Sequence, residues 1–267
     1  MYRIHELKFQ FVNFYFLRKP VSVRKQYGLV GRNISYSFSK KYFSEKFQNN
    51  NLTGHSYENF DLQEITEFPL IIKNNPDLAG LNVTIPYKET VLSFLDTLSK
   101  KAKEIGAVNT IRFTKNGKLK GYNTDWYGFT KALLPLLKPH HKKALLLGTG
   151  GASKAVAFAL KELGITPVFV SRATMIGQLS YDELDEEIFQ DYHIIINCTP
   201  LGTSPNVEIC PDIPYAFFTS RHIAFDLIYN PEETLFLQKA KAQGAVIKNG
   251  LEMLVFQAEK AWKIWNK

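Results

Sequence analysis

The chain has 267 residues, of which 45% are hydrophobic and 22% charged, a composition that supplies a full core and excludes a disordered or low-complexity polypeptide. Its two cysteines, Cys198 and Cys210, have no CxxC spacing and no histidine-rich neighbourhood, which argues against a disulfide framework or a metal centre. The net charge is +8, but residues 1–26 carry Arg3, Lys8, Arg18, Lys19, Arg24 and Lys25 against Glu6 and so hold +5 of it, which removes most of the case for a nucleic-acid binder.

In chain order, residues 1–24 read as an appendage outside the fold and without order of its own, a membrane or partner contact being the other reading. Phe9–Leu17 is apolar but interrupted by Gln10 and Asn13. No apolar run is long enough to span a bilayer, and no small-residue cleavage site follows, so a soluble cytoplasmic protein is expected. Tyr27–Gly31 reads as a short buried strand, Arg32–Ser39 as a polar turn, and Lys40–Phe47 as the start of a helix. Leu62–Lys73 has helical apolar spacing and ends at Asn74-Asn75-Pro76. Leu81–Ile85 alternates with β-branched residues and is stopped by Pro86. Glu89–Leu98 reads as an amphipathic helix, and Ala107–Phe113 with Lys118–Tyr122 as a hairpin about Asn116-Gly117.

Lys138–Lys143 breaks the pattern, and its two histidines, His140 and His141, read as part of a solvated connection. The second half then repeats strand and helix. Strands are expected at Ala144–Leu147, Pro167–Val170, Ile194–Asn197, His222–Leu227 and Ala245–Ile247, with helices at Ala155–Leu163 and Leu235–Gln243. That is the βα repeat of a doubly wound parallel sheet. Leu251–Trp265 closes the chain as a long apolar helix.

The strongest local motif is Leu145-Leu146-Leu147-Gly148-Thr149-Gly150-Gly151-Ala152-Ser153. A buried strand runs into glycines that open a helix. Gly148 permits the tight turn, Gly150 lets backbone approach a pyrophosphate, and Gly151 and Ala152 bring free N–H groups and the positive helix end to the phosphates. Ser153 stands where a third glycine is usual and is still small. The next strand ends Val170-Ser171-Arg172, with no acid to hold a ribose 2′-hydroxyl. Arg172 offers its fork of donors to a 2′-phosphate, with Ser171 beside it, so NADP is the expected dinucleotide.

In the first half, polar groups cluster beside tight backbone at Ser37-Phe38-Ser39, Asn82-Val83-Thr84-Ile85-Pro86-Tyr87-Lys88, Gly106-Ala107-Val108-Asn109-Thr110 and Asn123-Thr124-Asp125. Each alone is explicable as turns and caps. Together, in this order before the glycine loop, they resemble the shikimate dehydrogenases, as do Phe225–Pro231 and Asn249–Ala258. The resemblance covers residues 27–265. It implies an α/β substrate domain plus a Rossmann-type domain of doubly wound parallel sheet. Residues 25–125 with 250–267 would form the substrate domain, and 126–249 the NADP domain. It also implies reversible reduction of 3-dehydroshikimate to shikimate with NADPH, in the route to the aromatic amino acids, by a monomer or homodimer.

Residue by residue, the resemblance makes Lys88 the catalytic lysine and Asp125 its partner. Ser37, Ser39 and Tyr229 fall at the substrate carboxylate, and Asn82, Thr84, Asn109 and Gln257 around the ring hydroxyls. Thr199, Leu227, Gly250 and Met253 line the nicotinamide. The chain departs from the family's usual residues at Asn33, Tyr36, Lys40 and Ala173, and the last of these removes a hydroxyl from the cofactor segment. Two alternatives are a quinate/shikimate dehydrogenase using NAD and a non-catalytic ligand sensor on the same fold. Retention of both Lys88 and Asp125 argues against the sensor, and the missing acid after Val170 against NAD.

Overall fold

The computed structural model describes residues 24–35 and 37–267. The expectations for residues 1–23, and for Tyr36, lie outside the described residues.

The chain builds two sheets in sequence. In the first, β1 (Lys25–Gly31) lies next to the edge and runs parallel to β2 (His55–Asp61) on one side and β3 (Leu78–Val83) on the other. With β4 (Thr97–Leu98), β5 (Thr110–Phe113) and β6 (Leu119–Tyr122) the order is β2-β1-β3-β5-β6-β4. The hairpin about Asn116-Gly117 is present: β5 and β6 pair antiparallel, and Gly117 has a φ of 71°. β2, with the sequence HSYENFD, carries too little apolar alternation to stand out as a strand. It forms because β1 offers it a parallel edge and because Tyr57 faces inward.

Helix α1 (Phe38–Asn49) lies on this sheet. It starts at Ser37, whose hydroxyl accepts from the Lys40 N–H at 3.2 Å. The region Leu62–Lys73 is not one helix. Pro69 cannot donate within a helix interior, so the regular helix α2 (Phe68–Asn74) begins with Pro69 in its first turn, after a separate turn capped by Glu64 and Glu67. The helix expected over Glu89–Leu98 is also corrected. Only a 3-10 segment, Thr90–Phe94, forms, because Thr97 and Leu98 go extended to pair with Lys120 and Gly121 of β6. Helix α3 (Lys100–Ile105), too short to show a period, is capped by Ser99 and leads to Gly106.

Helix α4 (Asp125–Leu133) leads to the second sheet. It holds β7 (Lys143–Leu147), β8 (Thr166–Val170), β9 (Ile194–Asn197), β10 (Ile223–Asp226) and β11 (Val246–Lys248), all parallel, in the order β11-β10-β9-β7-β8. Helices α5 (Gly151–Glu162), α6 (Glu186–Asp191) and α7 (Leu235–Ala242) cross between strands. This is the doubly wound arrangement expected from the βα repeat. The chain reverses direction across β7, so a crevice opens between the carboxyl ends of β7 and β9. Helix α8 (Leu251–Trp265) returns to the first sheet. Its Ala258, Ala261 and Trp265 join Tyr27, Phe43 and Phe47 in one core, and the Trp265 indole N–H donates to the Ile111 carbonyl at 3.0 Å. Burying a large apolar side chain such as Phe43 or Phe47 stabilises by roughly 1.5–3 kcal/mol. None of the helices formed by the described residues is long and apolar enough to cross a membrane.

The stretch Lys138–Lys143 is solvated only in part: Lys138, Pro139 and Lys142 are exposed, while His140 is half-buried. His141 is buried, and His141, His140, His193 and His222 meet below the amino ends of β7, β9 and β10, with ring centroids 4.2, 5.1 and 5.3 Å apart in that order. The Lys138 N–H donates to His141 Nδ1, and the Thr219 N–H to His222 Nδ1. The other ring nitrogens therefore hold the proton and donate to the carbonyls of Arg221 and Phe189. Burial, with mutual repulsion and the charge of Arg221, pushes His193 down to about 4, and burial also lowers His141 and His222. In the unfolded chain these rings protonate near their ordinary pKa of about 6.5. The unfolded state thus takes up protons first as the pH falls, and their contribution, complete above about 6.5, is lost on the way down towards 4. Melting temperature should drop across that window and drop less in His193→Leu; equal pH slopes for the two proteins would contradict this account.

Candidate active site

Nine of the residues singled out in the sequence line one cavity of about 380 Å³: Ser37, Ser39, Asn82, Thr84, Lys88, Asn109, Asp125, Tyr229 and Gln257. They come from the start of α1, the end of β3 and its following turn, the start of β5, the start of α4, the loop after β10, and α8. Only the sheet brings them together. β3 lies between β1 and β5, so the carboxyl end of β3 faces the segment that enters β5.

Lys88 and Asp125 form the central pair, with Nζ 2.7 Å from Oδ2 and side chains only 13% and 7% exposed. Asp125 stands at the first position of α4, where the helix end favours negative charge. Its backbone N–H donates to Asn123 Oδ1 at 3.0 Å, and its Oδ1 accepts from Asn109 Nδ2 at 2.7 Å. Lys88 is held by its backbone, whose carbonyl accepts from the Val108 N–H at 2.7 Å. Two of its three ammonium hydrogens remain for a ligand.

Asn109 is committed within the protein. Its Oδ1 accepts from the Thr124 N–H at 2.7 Å while Nδ2 serves Asp125 and Thr124 Oγ1. Gln257 Oε1 closes this network through the Thr124 hydroxyl at 3.3 Å. Burial raises the Tyr229 phenol, which keeps it a donor, and its ring meets Phe38 edge-on at 5.6 Å. The sequence reading missed Arg32, Phe38, Thr203 and Leu254, which also line the cavity. Arg32 donates to the Tyr87 hydroxyl at 3.2 Å and to the Gln63 carbonyl. Thr203 sits in a segment whose local sequence carries no chemical signal, and Leu254 lies within the Asn249–Ala258 motif but brings no polar group of its own.

The expected cofactor residues lie at the carboxyl ends of the second sheet, around its crevice. Gly148 follows β7 with a φ of 101°, a conformation side chains rarely adopt, and a Cβ there would sit 3.0 Å from the Thr199 methyl across the gap to β9. Gly150 precedes the first turn of α5, which contains Gly151 and Ala152 and no acid. Ser153 is buried, its hydroxyl donating to the Gly150 carbonyl at 2.7 Å, so the missing third glycine is replaced by a group that braces the loop. Gly151 faces Lys88: a Cβ there would lie 3.4 Å from the lysine Cβ, which puts the helix start next to the Lys88–Asp125 pair. At the end of β8, Ser171 forms a turn with Ala173, and Arg172 is exposed beside it.

Leu227 follows β10, and its carbonyl would be 2.1 Å from a Cβ at Gly250, so two backbones touch there. Met253 is buried one turn further along α8. Beneath Thr199 runs a network absent from the sequence reading. The Thr199 hydroxyl donates to Asn197 Oδ1 at 2.6 Å, Asn197 Nδ2 to Asp226 Oδ1 at 3.1 Å, and the Thr234 hydroxyl to Asp226 Oδ2 at 2.6 Å. Burial pushes Asp226 up to about 6, against the pull of these donors.

A glycine turn of positive φ, free N–H groups at a helix start and a lone arginine in place of an acid fit an NADP pyrophosphate and 2′-phosphate. The arrangement places a dinucleotide crevice beside a polar cavity that contains a buried lysine.

Residues 29–111 match the family model for the shikimate dehydrogenase substrate binding domain. A shikimate dehydrogenase (NADP(+)) of Desulforamulus reducens is 35% identical over 89% of this chain and 88% of its own. Among solved structures, a shikimate dehydrogenase in complex with NADP+ superimposes with a TM-score of 0.80 at 33% identity, covering 91% of this chain and 90% of the other. The Thermus thermophilus shikimate 5-dehydrogenase in complex with NADP(H) and shikimate gives 0.80 at 32%, covering 90% and 93%. With this similarity along nearly the whole chain, and with the cavity and crevice in the places the motifs require, the chain belongs to the shikimate dehydrogenase family of oxidoreductases.

Proposed function

We propose that the chain interconverts 3-dehydroshikimate and shikimate with NADP(H), and that Lys88 and Asp125 carry the proton chemistry. The observation that supports this most directly is the buried Lys88–Asp125 pair, set in a cavity of hydroxyls and amides and adjoining the dinucleotide loop at Gly151. Bound in the crevice, NADPH supplies the hydride. As the new C–H bond forms, the carbonyl electron pair moves onto the ketone oxygen. The Lys88 ammonium stabilises that charge and transfers a proton to it. In the reverse direction neutral Lys88 takes the alcohol proton. Asp125 keeps the ammonium aimed, and Asn109 keeps Asp125 aimed.

Ser37 accepts from the Lys40 N–H, so its own proton is free for the substrate carboxylate, together with the hydroxyls of Ser39 and Tyr229. Asn82, Thr84 and Gln257 address the ring hydroxyls, and a substrate lacking one leaves a buried group unpaired. Thr199, Leu227, Gly250 and Met253 shape the nicotinamide end of the crevice, and Arg172 with Ser171 takes the 2′-phosphate. In this reading residues 25–125 with 250–267 form the substrate domain and 126–249 the NADP domain. The partners are small molecules rather than nucleic acid, since +5 of the net +8 lies in residues 1–26.

The reading is tested by following NADP+ reduction with shikimate at the nicotinamide absorbance, with NAD+ and quinate in parallel. Turnover with shikimate and NADP+ is expected, and its complete absence would reject the proposal. Lys88→Ala should lower kcat by about 10²–10⁴-fold with NADP+ binding unchanged; near-normal turnover would remove Lys88 from the proton transfer. Arg172→Ala should raise KM for NADP+ by about tenfold or more and leave KM for NAD+ as it was, because only one of them carries the phosphate the guanidinium would pair. A parallel rise for both cofactors would assign Arg172 another role.

A further inference from the structure

Asn82 lines the substrate cavity, but its amide is held from behind on several sides. Nδ2 lies 3.1 Å from the backbone oxygen of Asn109 and 3.3 Å from Thr110 Oγ1, and Oδ1 lies 2.8 Å from the hydroxyl of Tyr57. The orientation of the amide follows from one of these partners. A backbone carbonyl can only accept, so the edge facing Asn109 must be the NH2 edge, and a flipped amide would set two acceptors against each other. The Tyr57 hydroxyl must then donate to Oδ1. Both amide hydrogens are thereby used, and so is one of the two lone pairs on Oδ1.

Tyr57 is built to hold that hydrogen bond. It lies on β2, is 2% exposed, and stacks on Phe43 of α1 with ring centroids 4.8 Å apart and planes at 12°. Burial raises its ionisation well above the ordinary range, so the hydroxyl keeps its proton, and the Ser39 hydroxyl lies against it as well. Tyr57 is absent from the lining of the cavity, so it acts through Asn82 rather than on a ligand.

We infer that Tyr57 is a positioning residue that leaves Asn82 with a single acceptor lone pair for the substrate, so that the substrate group resting on Asn82 must be a hydroxyl that donates. The inference rests on the shikimate reading above and adds a direction to one of its contacts. It also defines what the cavity rejects: a ring substituent that accepts a hydrogen bond but cannot give one.

The test uses the full chain and two substrate analogues, in each of which one of the two non-reacting ring hydroxyls is replaced by fluorine, an acceptor without a proton. For one of the two, wild-type kcat/KM should fall by about 100-fold or more, as for a buried polar group left unpaired. Tyr57→Phe should raise KM for shikimate by about tenfold, the cost of about one hydrogen bond, while KM for NADP+ stays unchanged. Within that variant the penalty for the sensitive analogue should shrink, because turning the NH2 edge outward no longer breaks the bond from Tyr57 and is opposed only by the partners at Asn109 and Thr110, while the penalty for the other analogue stays as in wild type. Thr110→Val, which releases an amide hydrogen from the opposite side, should narrow the same penalty. These ratios are taken within one protein and do not depend on how much of it folds. Unchanged discrimination in both variants, or an equal loss for every substrate and for NADP+, overturns the inference. Failure of the wild type to oxidise shikimate at all would instead reject the proposed function.

Discussion

Two opposite charges buried beside each other organise the substrate half of this molecule. Desolvating Lys88 and Asp125 is costly, and the pair is tolerable only because its geometry is close and its remaining polar capacity is used. Asp125 receives the helix end of α4, the Asn109 amide and its own backbone link to Asn123. Lys88 is tied through its carbonyl to Val108. Each of these supports comes from a different stretch of chain. The pairing of β3 with β5, the start of α4 and the return of α8 with Gln257 must all be in place before the ion pair can exist. The same requirement fixes the direction in which the Lys88 side chain points.

The cofactor half solves a different problem with fewer polar groups. A parallel sheet buried on both faces puts loop after loop at the carboxyl ends of its strands, and the reversal across β7 separates two of them into a crevice. Gly148 supplies backbone that a side chain would strain, and Gly250 lets α8 start directly against Leu227. Through that contact the chain passes from the second sheet back to the first, so this end of the crevice and the helix bearing Gln257 share one joint. Thr199 is braced from below by Asn197, Asp226 and Thr234, a buried network that keeps the wall of the crevice in shape.

Local chemistry made much of this legible in the sequence. The glycine loop, its flanking strand and helix, the hairpin at Asn116-Gly117 and the long helix over Leu251–Trp265 are written in neighbouring residues, because turn geometry and apolar period act over short distances. The failures were equally local in cause. An apolar period over Glu89–Leu98 and Leu62–Lys73 overstated the helices, since β6 claims Thr97 and Leu98 and Pro69 forbids one continuous helix. Two adjacent histidines next to a proline read as solvent-exposed, and only the partners brought by β9 and β10 bury His141 and half-cover His140.

The sequence by itself determined the fold class, the family, the glycine loop and nine of the residues that line the cavity, because each is carried by a contiguous motif whose chemistry is specific. The tertiary structure decided their directions: that Asn109 spends both ends of its amide on Thr124 and Asp125, that Tyr57 stands behind Asn82, and that Gly151 lies beside Lys88 with room for no more than a Cβ between them. Hydrogen bonds and close contacts depend on distance and angle between atoms far apart in the chain. No spacing within a motif encodes them until the sheets have set the register.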